Sequence, residues 1–212
     1  VTGASSGLGN RFARVLHAAG ATVVVAARRS ERLEALAAEL GDRIVPITCD
    51  MSVDADVEAL AAAALAVTGR VDVLVNNAGL GGPVPAELET MEQWRAMTAV
   101  NLDGLFLLSQ RIGRAMLEQR SGSIVNIASV LGLVAAAPIK QAAYCATKGA
   151  VVNLTRQLGC EWSRKGVRVN AIAPGVIATP MTAPMQAFPE LLDAELAKVP
   201  MGRMGTPDEV VG

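Results

Sequence analysis

The stretch TGASSGLG, residues 2–9, puts three glycines into eight residues, with only Val1 in front of it. A turn this rich in glycine connects a buried strand to a helix and lets an anionic group approach the N–H groups at the helix N-terminus. Taken alone, it could equally be an ordinary tight loop. A helix does follow, because Phe12, Val15, Leu16 and Ala19 recur at helical spacing and Gly20 suits its end. Beyond it, Thr22–Ala27 is a short β-branched run that reads as a strand, and Ser30 is placed to cap a second helix with Leu33, Leu36, Ala37 and Leu40 on its buried stripe.

The alternation continues along the chain. Residues 43–49, RIVPITC, read as a strand whose Pro46 cannot donate to a ladder, which favours an edge position. A helix through Val57, Leu60, Ala61 and Ala64 leads to a strand at Val71–Val75. Thr90 and Gln93 have capping-box spacing and open one long helix toward Gln119. Strands at Ser123–Ala128 and Val167–Ile172 enclose a further long helix without proline, and a last helix is expected near Leu191–Val199. No repeat or linker interrupts this order. It predicts an α/β fold: one domain over residues 1–212, three layers, with a doubly wound parallel sheet of the Rossmann type.

Composition narrows the function. Of the 212 residues, 51% are hydrophobic and 18% charged, and nineteen basic against twenty acidic residues leave a net charge of −1. That balance gives no electrostatic footprint for nucleic acid or a polybasic membrane anchor. The longest apolar runs, such as VLGLVAAAP at 130–138, fall short of a bilayer span. Cys49, Cys145 and Cys160 are odd in number and lie in apolar segments, so they read as core residues of a reducing compartment, and a cytoplasmic protein is expected. His17 is the only histidine, which leaves no ligand set for a catalytic zinc of the usual kind.

Four further features accompany the glycine turn: NNAG at 76–79, Asn101 in the long helix, Ser129 after the strand SIVNIA, and Tyr144 and Lys148 four apart in YCATK. With the spacing of Gly3, Gly7 and Gly9, and with PGVIATPM at 174–181, they make the chain resemble the short-chain dehydrogenase/reductase family over nearly its whole length. The resemblance implies an oxidoreductase that moves a hydride between a nicotinamide dinucleotide and a carbonyl or secondary alcohol. It implies Tyr144 as general acid/base, Ser129 orienting the substrate, Lys148 tuning Tyr144 and holding the nicotinamide ribose, and Asn101 completing a proton relay. The residue chemistry agrees. Four residues apart on a helix, an ammonium sits beside a phenol and should lower a pKa of about 10, and Asn101 is suited to anchoring a water beside Lys148. As a bland alternative, Asn101 is a polar residue that kinks its helix.

The same resemblance assigns cofactor contacts to Gly3, Ser5, Ser6, Gly7, Leu8 and Gly9, to Arg28, Arg29, Asp50 and Met51, to Asn77, Ala78 and Gly79, and to Pro174, Gly175, Ile177 and Thr179, beside Tyr144 and Lys148. No metal is implied. Where an acidic residue would select NAD, the chain has Ala27 followed by Arg28 and Arg29, so NADP(H) is expected and NAD(H) is the alternative. Arg28 is the expected selector, although a basic residue before the second glycine is missing and Ser6 stands there. Asp50 is expected on the adenine amino group or, alternatively, as a helix cap. Val130, Leu131, Leu133, Val134, Met181 and Met185 read as an apolar pocket wall, or as core or subunit contacts. Ketone or 3-oxoacyl reduction fits, and so does a sugar, steroid or xenobiotic carbonyl. Two readings are disfavoured: an extended-branch epimerase, by glycine spacing and length, and a non-catalytic NADP(H) sensor, by the retained Tyr144 and Lys148. A homotetramer or homodimer is expected.

A sheet of this type holds its first strand centrally. The chain is therefore expected to be a fragment that lacks most of that strand and a later one. A gap of about 10 Å, two interstrand steps, is expected between Thr22–Ala27 and Val71–Val75, unless a foreign segment fills it.

Overall fold

A computed structural model describes residues 1–211. Its strands are β1 (Val23–Ala27), β2 (Ile44–Thr48), β3 (Val73–Asn76), β4 (Gly122–Ile127) and β5 (Val167–Ile172). The helices are α1 (Gly7–Ala18), α2 (Ser30–Leu40), α3 (Asp54–Thr68), α4 (Met91–Thr98), α5 (Gly104–Gln119), α6 (Ala142–Trp162), α7 (Pro189–Leu196) and α8 (Pro207–Val211). All ladders are parallel: β1 pairs with β2, and β3, β4 and β5 form a second group in that order. Pro46 lies on β2, whose partner among the described residues is β1 alone, in keeping with an edge.

Alternation along the strands sends side chains into two cores. Leu74 and Ile124 join Leu60, Leu108, Ile112 and Leu158 beneath α3, α5 and α6. Val75 and Ile127 pack with Phe12, Val125, Ile172 and Val210 beneath α1 and α8. Strands buried on both faces and helices on both sides make the three-layered, Rossmann-like α/β domain that the alternation predicts.

No ladder joins β1 to β3. Residues 1–4 stand between their C-terminal ends: Thr2 N–H donates to Val75 O (3.0 Å), Ala26 N–H to Val1 O (3.0 Å) and Ala4 N–H to Ala26 O (3.2 Å). Behind this bridge, a cavity of about 330 Å³ opens between Thr22–Val24 and Val71–Leu74, floored by Leu60, Leu108 and Ile112.

Three local expectations need correction. The single long helix at 90–119 starts on the expected capping box, in which Gln93 N–H donates to Thr90 Oγ1 and Thr90 N–H to Gln93 Oε1. It is then broken into α4 and α5 by a π-helical turn at Ala99–Asp103. Ser30 does not cap α2; it is the helix's first residue, and Arg29 precedes it without a side-chain cap. Of the three cysteines only Cys49 is buried, while Cys145 is half-buried and Cys160 exposed, because α6 turns them away from the sheet.

Candidate active site

The C-terminal ends of the strands and the glycine turn border a cleft of about 430 Å³. At one end, Gly3 and Gly7 take left-handed conformations (φ +67° and +56°), which a side chain would strain. A Cβ on Gly9 would lie 2.4 Å from Gly3 O and 2.5 Å from Asn77 Nδ2, so only glycine lets α1 approach the turn this closely. Thr2 Oγ1 accepts the N–H groups of Asn77 and Ala78 (3.0 Å each), and Asn77 Nδ2 donates to Thr2 O (2.9 Å). These bonds fasten the glycine turn to NNAG. Ser6, at the N-cap of α1, makes no capping bond, so the first-turn N–H groups remain open to an anion. The cradle fits a dinucleotide pyrophosphate.

The adjoining wall differs from expectation in which arginine meets the turn. Arg29 Nη2 donates to Ser5 Oγ (2.8 Å) and Ser6 Oγ (2.9 Å), laying its guanidinium across the glycine loop. Arg28 reaches outward, 65% exposed, with Nη1 3.9 Å from Asp50 Oδ2. Asp50 Oδ1 accepts the N–H (2.9 Å) and hydroxyl (2.7 Å) of Ser52; these bonds, aided by Arg28, hold its carboxyl below the usual range. Asp50 thus shapes the turn toward α3, whose N-cap is Val53, while its other oxygen faces Arg28.

At the opposite end, Tyr144 and Lys148 share one face of α6, with Nζ 5.7 Å from the ring centre. Lys148 is buried and donates to Ile127 O (2.7 Å). Burial lowers its pKa to about 8. Burial also raises the Tyr144 phenol above its ordinary value; a hydrogen bond with Ser129 opposes the rise and Cys145 adds to it. The expected lowering by the neighbouring ammonium is therefore not found. Desolvation disfavours phenolate as it disfavours ammonium, and Lys148 directs its proton at a carbonyl. Ser129, buried at the end of β4, accepts the N–H of Leu131 (3.1 Å).

Asn101 lies in the π turn and is fully buried. Its Oδ1 accepts Leu80 N–H (2.7 Å), and its Nδ2 donates to Leu80 O (3.0 Å) and Thr147 Oγ1 (3.2 Å). A Cβ on Gly79 would sit 3.4 Å from Asn101 Oδ1 and 3.6 Å from Lys148 Nζ, so the two side chains flank Gly79. The amide grips the backbone of Leu80 at both its N–H and its carbonyl.

The segment after β5 covers the cleft. Pro174 O accepts Val130 N–H (2.9 Å), and Thr179 Cβ would lie 3.6 Å from a Cβ on Gly7. Ala178 N–H donates to Gly205 O (2.8 Å) and Gly205 N–H to Val176 O (2.9 Å). Glu209 of α8 fixes this crossing by accepting Arg203 (2.7 and 2.9 Å) and Thr206 N–H (2.8 Å), contacts that hold its pKa down to about 2. Of the residues expected to bind the cofactor or act in catalysis, all line the cleft except Gly9 and Asn101, which stand behind the lining; of the expected apolar wall, Met181 lines it, whereas Val130, Leu131, Leu133, Val134 and Met185 do not. Sequence reading missed Thr2, Leu80 and Thr147. Thr2 directly precedes the first glycine and Thr147 directly precedes Lys148, but neither position alone announces a hydrogen bond between distant segments.

The family model for short chain dehydrogenase matches residues 1–190. The chain belongs to this family. It is accordingly an oxidoreductase of the carbonyl/alcohol pair, and its family binds NAD(P)(H). This short-chain dehydrogenase is 43% identical to galactitol 2-dehydrogenase (L-tagatose-forming) of Cereibacter sphaeroides, over 99% of this chain and 83% of that one. A putative NAD(P)-dependent gluconate 5-dehydrogenase of Beutenbergia cavernae with bound NADP superposes with a TM-score of 0.91 at 41% identity, covering 100% and 84% of the chains. A 3-ketoacyl-(acyl-carrier-protein) reductase of Brucella melitensis complexed with NADH gives 0.90 at 34%, covering 99% and 85%. Among the described residues of this dehydrogenase, no helix is long and apolar enough to cross a membrane, and no group of three or more potential metal ligands occurs.

Proposed function

We propose that residues 1–212 act as one catalytic unit that interconverts a ketone, or a 3-oxoacyl group, and its secondary alcohol, with Tyr144 as general acid/base and NADP(H) as the preferred cofactor. The observation that carries this reading is the meeting of two hydroxyls, those of Ser129 and Tyr144, over buried Lys148 at one end of a cleft whose other end is the glycine cradle. The cofactor supplies or takes the hydride. Ser129 donates to the carbonyl oxygen and holds it beside Tyr144, whose proton passes to that oxygen as negative charge develops there. A half-buried phenol with a raised pKa stays protonated through neutral pH, which suits it to giving a proton. Lys148 supplies positive charge beneath the ring and reaches the ribose end of the cofactor. Asn101 holds the backbone at Leu80, and with it Gly79, in register with Lys148.

The preference for NADP(H) rests on two cations facing the adenosine end, with Ala27 where a carboxylate would repel a 2′-phosphate. Arg29 over Ser5 and Ser6 compensates for the basic residue missing before Gly7. The pairing of Arg28 with Asp50 favours the alternative, NAD(H), to the extent that it withholds that guanidinium. A homodimer or homotetramer in a reducing, cytoplasmic setting fits the three free cysteines and the long α5 and α6.

Tyr144→Phe tests the central assignment. It keeps the ring and removes the titratable proton, so turnover should fall roughly 10²–10⁴-fold while NADPH still binds. Turnover above a tenth of the parent's would remove Tyr144 from the role.

A further inference from the structure

At the nucleotide end of the cleft, charge and hydrogen-bonding groups dominate. Beyond Ser129 and Tyr144, the lining turns apolar. Met181 and the Tyr144 ring face each other across Gly81, whose missing Cβ would lie 3.6 Å from Met181 Sδ and 3.8 Å from Tyr144 Cε2. Leu80 and Pro180 also line the cleft, Leu80 against the core and Pro180 beside Gly7. The one further hydroxyl there, Thr182 Oγ1, is already spent on the carbonyls of Ile177 (2.6 Å) and Thr179 (3.1 Å). A polyol drawn into this space would leave its hydroxyls unpaired, at a cost of about tenfold or more in affinity for each.

A second observation points the same way. Large apolar side chains that are more than half exposed cluster on the two segments flanking this end: Leu133 and Val134 just beyond Ser129, and Met181, Phe188 and Met201 on the other bank. Lys198 donates to the carbonyl of Ala137, which ties the segment after Ser129 to the segment that carries Phe188 and Met201.

We propose that the substrate carries an extended apolar arm on one side of its reacting carbon, as an alkyl or aryl ketone or the matching secondary alcohol does, and that the Met181 wall and the apolar rim receive that arm. This rests on the reading of Ser129 and Tyr144 as the reaction end. Met181 belongs both to this exposed set and to the cleft lining beside Tyr144, which makes a substrate arm the occupant; a second copy of the chain is the other occupant that the test must separate.

The test follows the 2-alkanones from 2-butanone to 2-decanone with NADPH, and the oxidation of galactitol and threitol with NADP⁺. The expected result is a kcat/KM that rises about two- to fourfold per added methylene over the first few steps, with both polyols at least about 100-fold below 2-octanone. Calorimetric titration of the same ketones onto the enzyme–NADP⁺ complex, where no turnover occurs, should give a heat-capacity change that grows more negative with chain length. Met181→Ser and Phe188→Ser should each raise KM for 2-octanone about fivefold or more and leave KM for NADPH within about twofold. Flat chain-length dependence, polyol turnover above that of the ketones, or turnover of neither series overturns the proposal. So does a Phe188→Ser variant that changes sedimentation while KM for 2-octanone stays put, which makes the rim a subunit contact. Failure of the underlying reading is distinct: Tyr144→Phe would then retain the parent's turnover on whichever substrate is used.

Discussion

At the nucleotide end of the cleft nearly every polar side chain already has a protein partner: Thr2 with Asn77 and Ala78, Arg29 with Ser5 and Ser6, Asp50 with Ser52 and Arg28. At the reaction end, Ser129 Oγ takes a single main-chain N–H, that of Leu131, and Lys148 has a single carbonyl. The contrast follows from the two tasks. A dinucleotide of constant shape is best met by donors held still beforehand, so that little order is lost on binding. A reacting oxygen needs donors with spare capacity in a desolvated setting, where each bond strengthens as charge develops.

The contrast can be broken most severely at its rigid end. Gly9→Val should abolish measurable NADPH binding, because its side chain must displace Gly3 O and Asn77 from their contact; fluorescence titration checks this, and binding within tenfold of the parent would show that the turn tolerates opening. At the reaction end, Lys148→Met should cost about 100-fold or more in kcat/KM, since the buried charge beneath Tyr144 is lost. Circular dichroism should meanwhile report an unchanged fold. Next in size, Arg29→Asp should shift the NADPH/NADH preference by about 10- to 100-fold toward NADH, the worth of a charge-assisted contact. Arg28→Asp should shift it less, as Arg28 is already turned toward Asp50. An unchanged ratio in both variants would place the selection elsewhere.

A pH profile sharpens the electrostatics. Lys148 carries its charge below about pH 8 and loses it above. Reductive kcat/KM should therefore hold steady below that value and fall by about tenfold per unit at higher pH, a limb that Lys148→Met should lack. A stopped-flow pH profile that stays level to pH 10 would mean the charge is not needed.

How much of this was legible beforehand follows from where the information lies. Gly3, Gly7 and Gly9, NNAG, Ser129 and the Tyr144–Lys148 pair sit at strand ends or on one helix face, so spacing alone brings them to one cleft. Pro46 marked its edge strand because a missing N–H is a property of the residue itself. The π turn at Ala99–Asp103 was legible only as the alternative in which Asn101 kinks its helix. It depends on the long-range clamp of Asn101 on Leu80 and on Gly104 meeting Met51, where a Cβ would lie 2.0 Å from the carbonyl oxygen. Arg28 and Arg29 are neighbours in sequence and could be told apart only by the hydroxyls within reach of each. The raised pKa of Tyr144 is a balance of burial against one hydrogen bond, and burial is a property of the whole fold.

The crossing of Val176–Ala178 with Gly205 ties the cover of the cleft to α8, and α8 lies against α1, whose N-terminus forms the cradle beneath. Floor and roof of the cofactor site are thus leashed to one pair of helices. Residence time, more than equilibrium affinity, is where that leash should be felt: a bound dinucleotide leaves only as fast as the roof lifts. The clip that restrains it, Arg203 to Glu209, is nearly half exposed and open to screening by salt. Cofactor release should accordingly quicken modestly with ionic strength, through a contact made at a distance from the phosphates themselves.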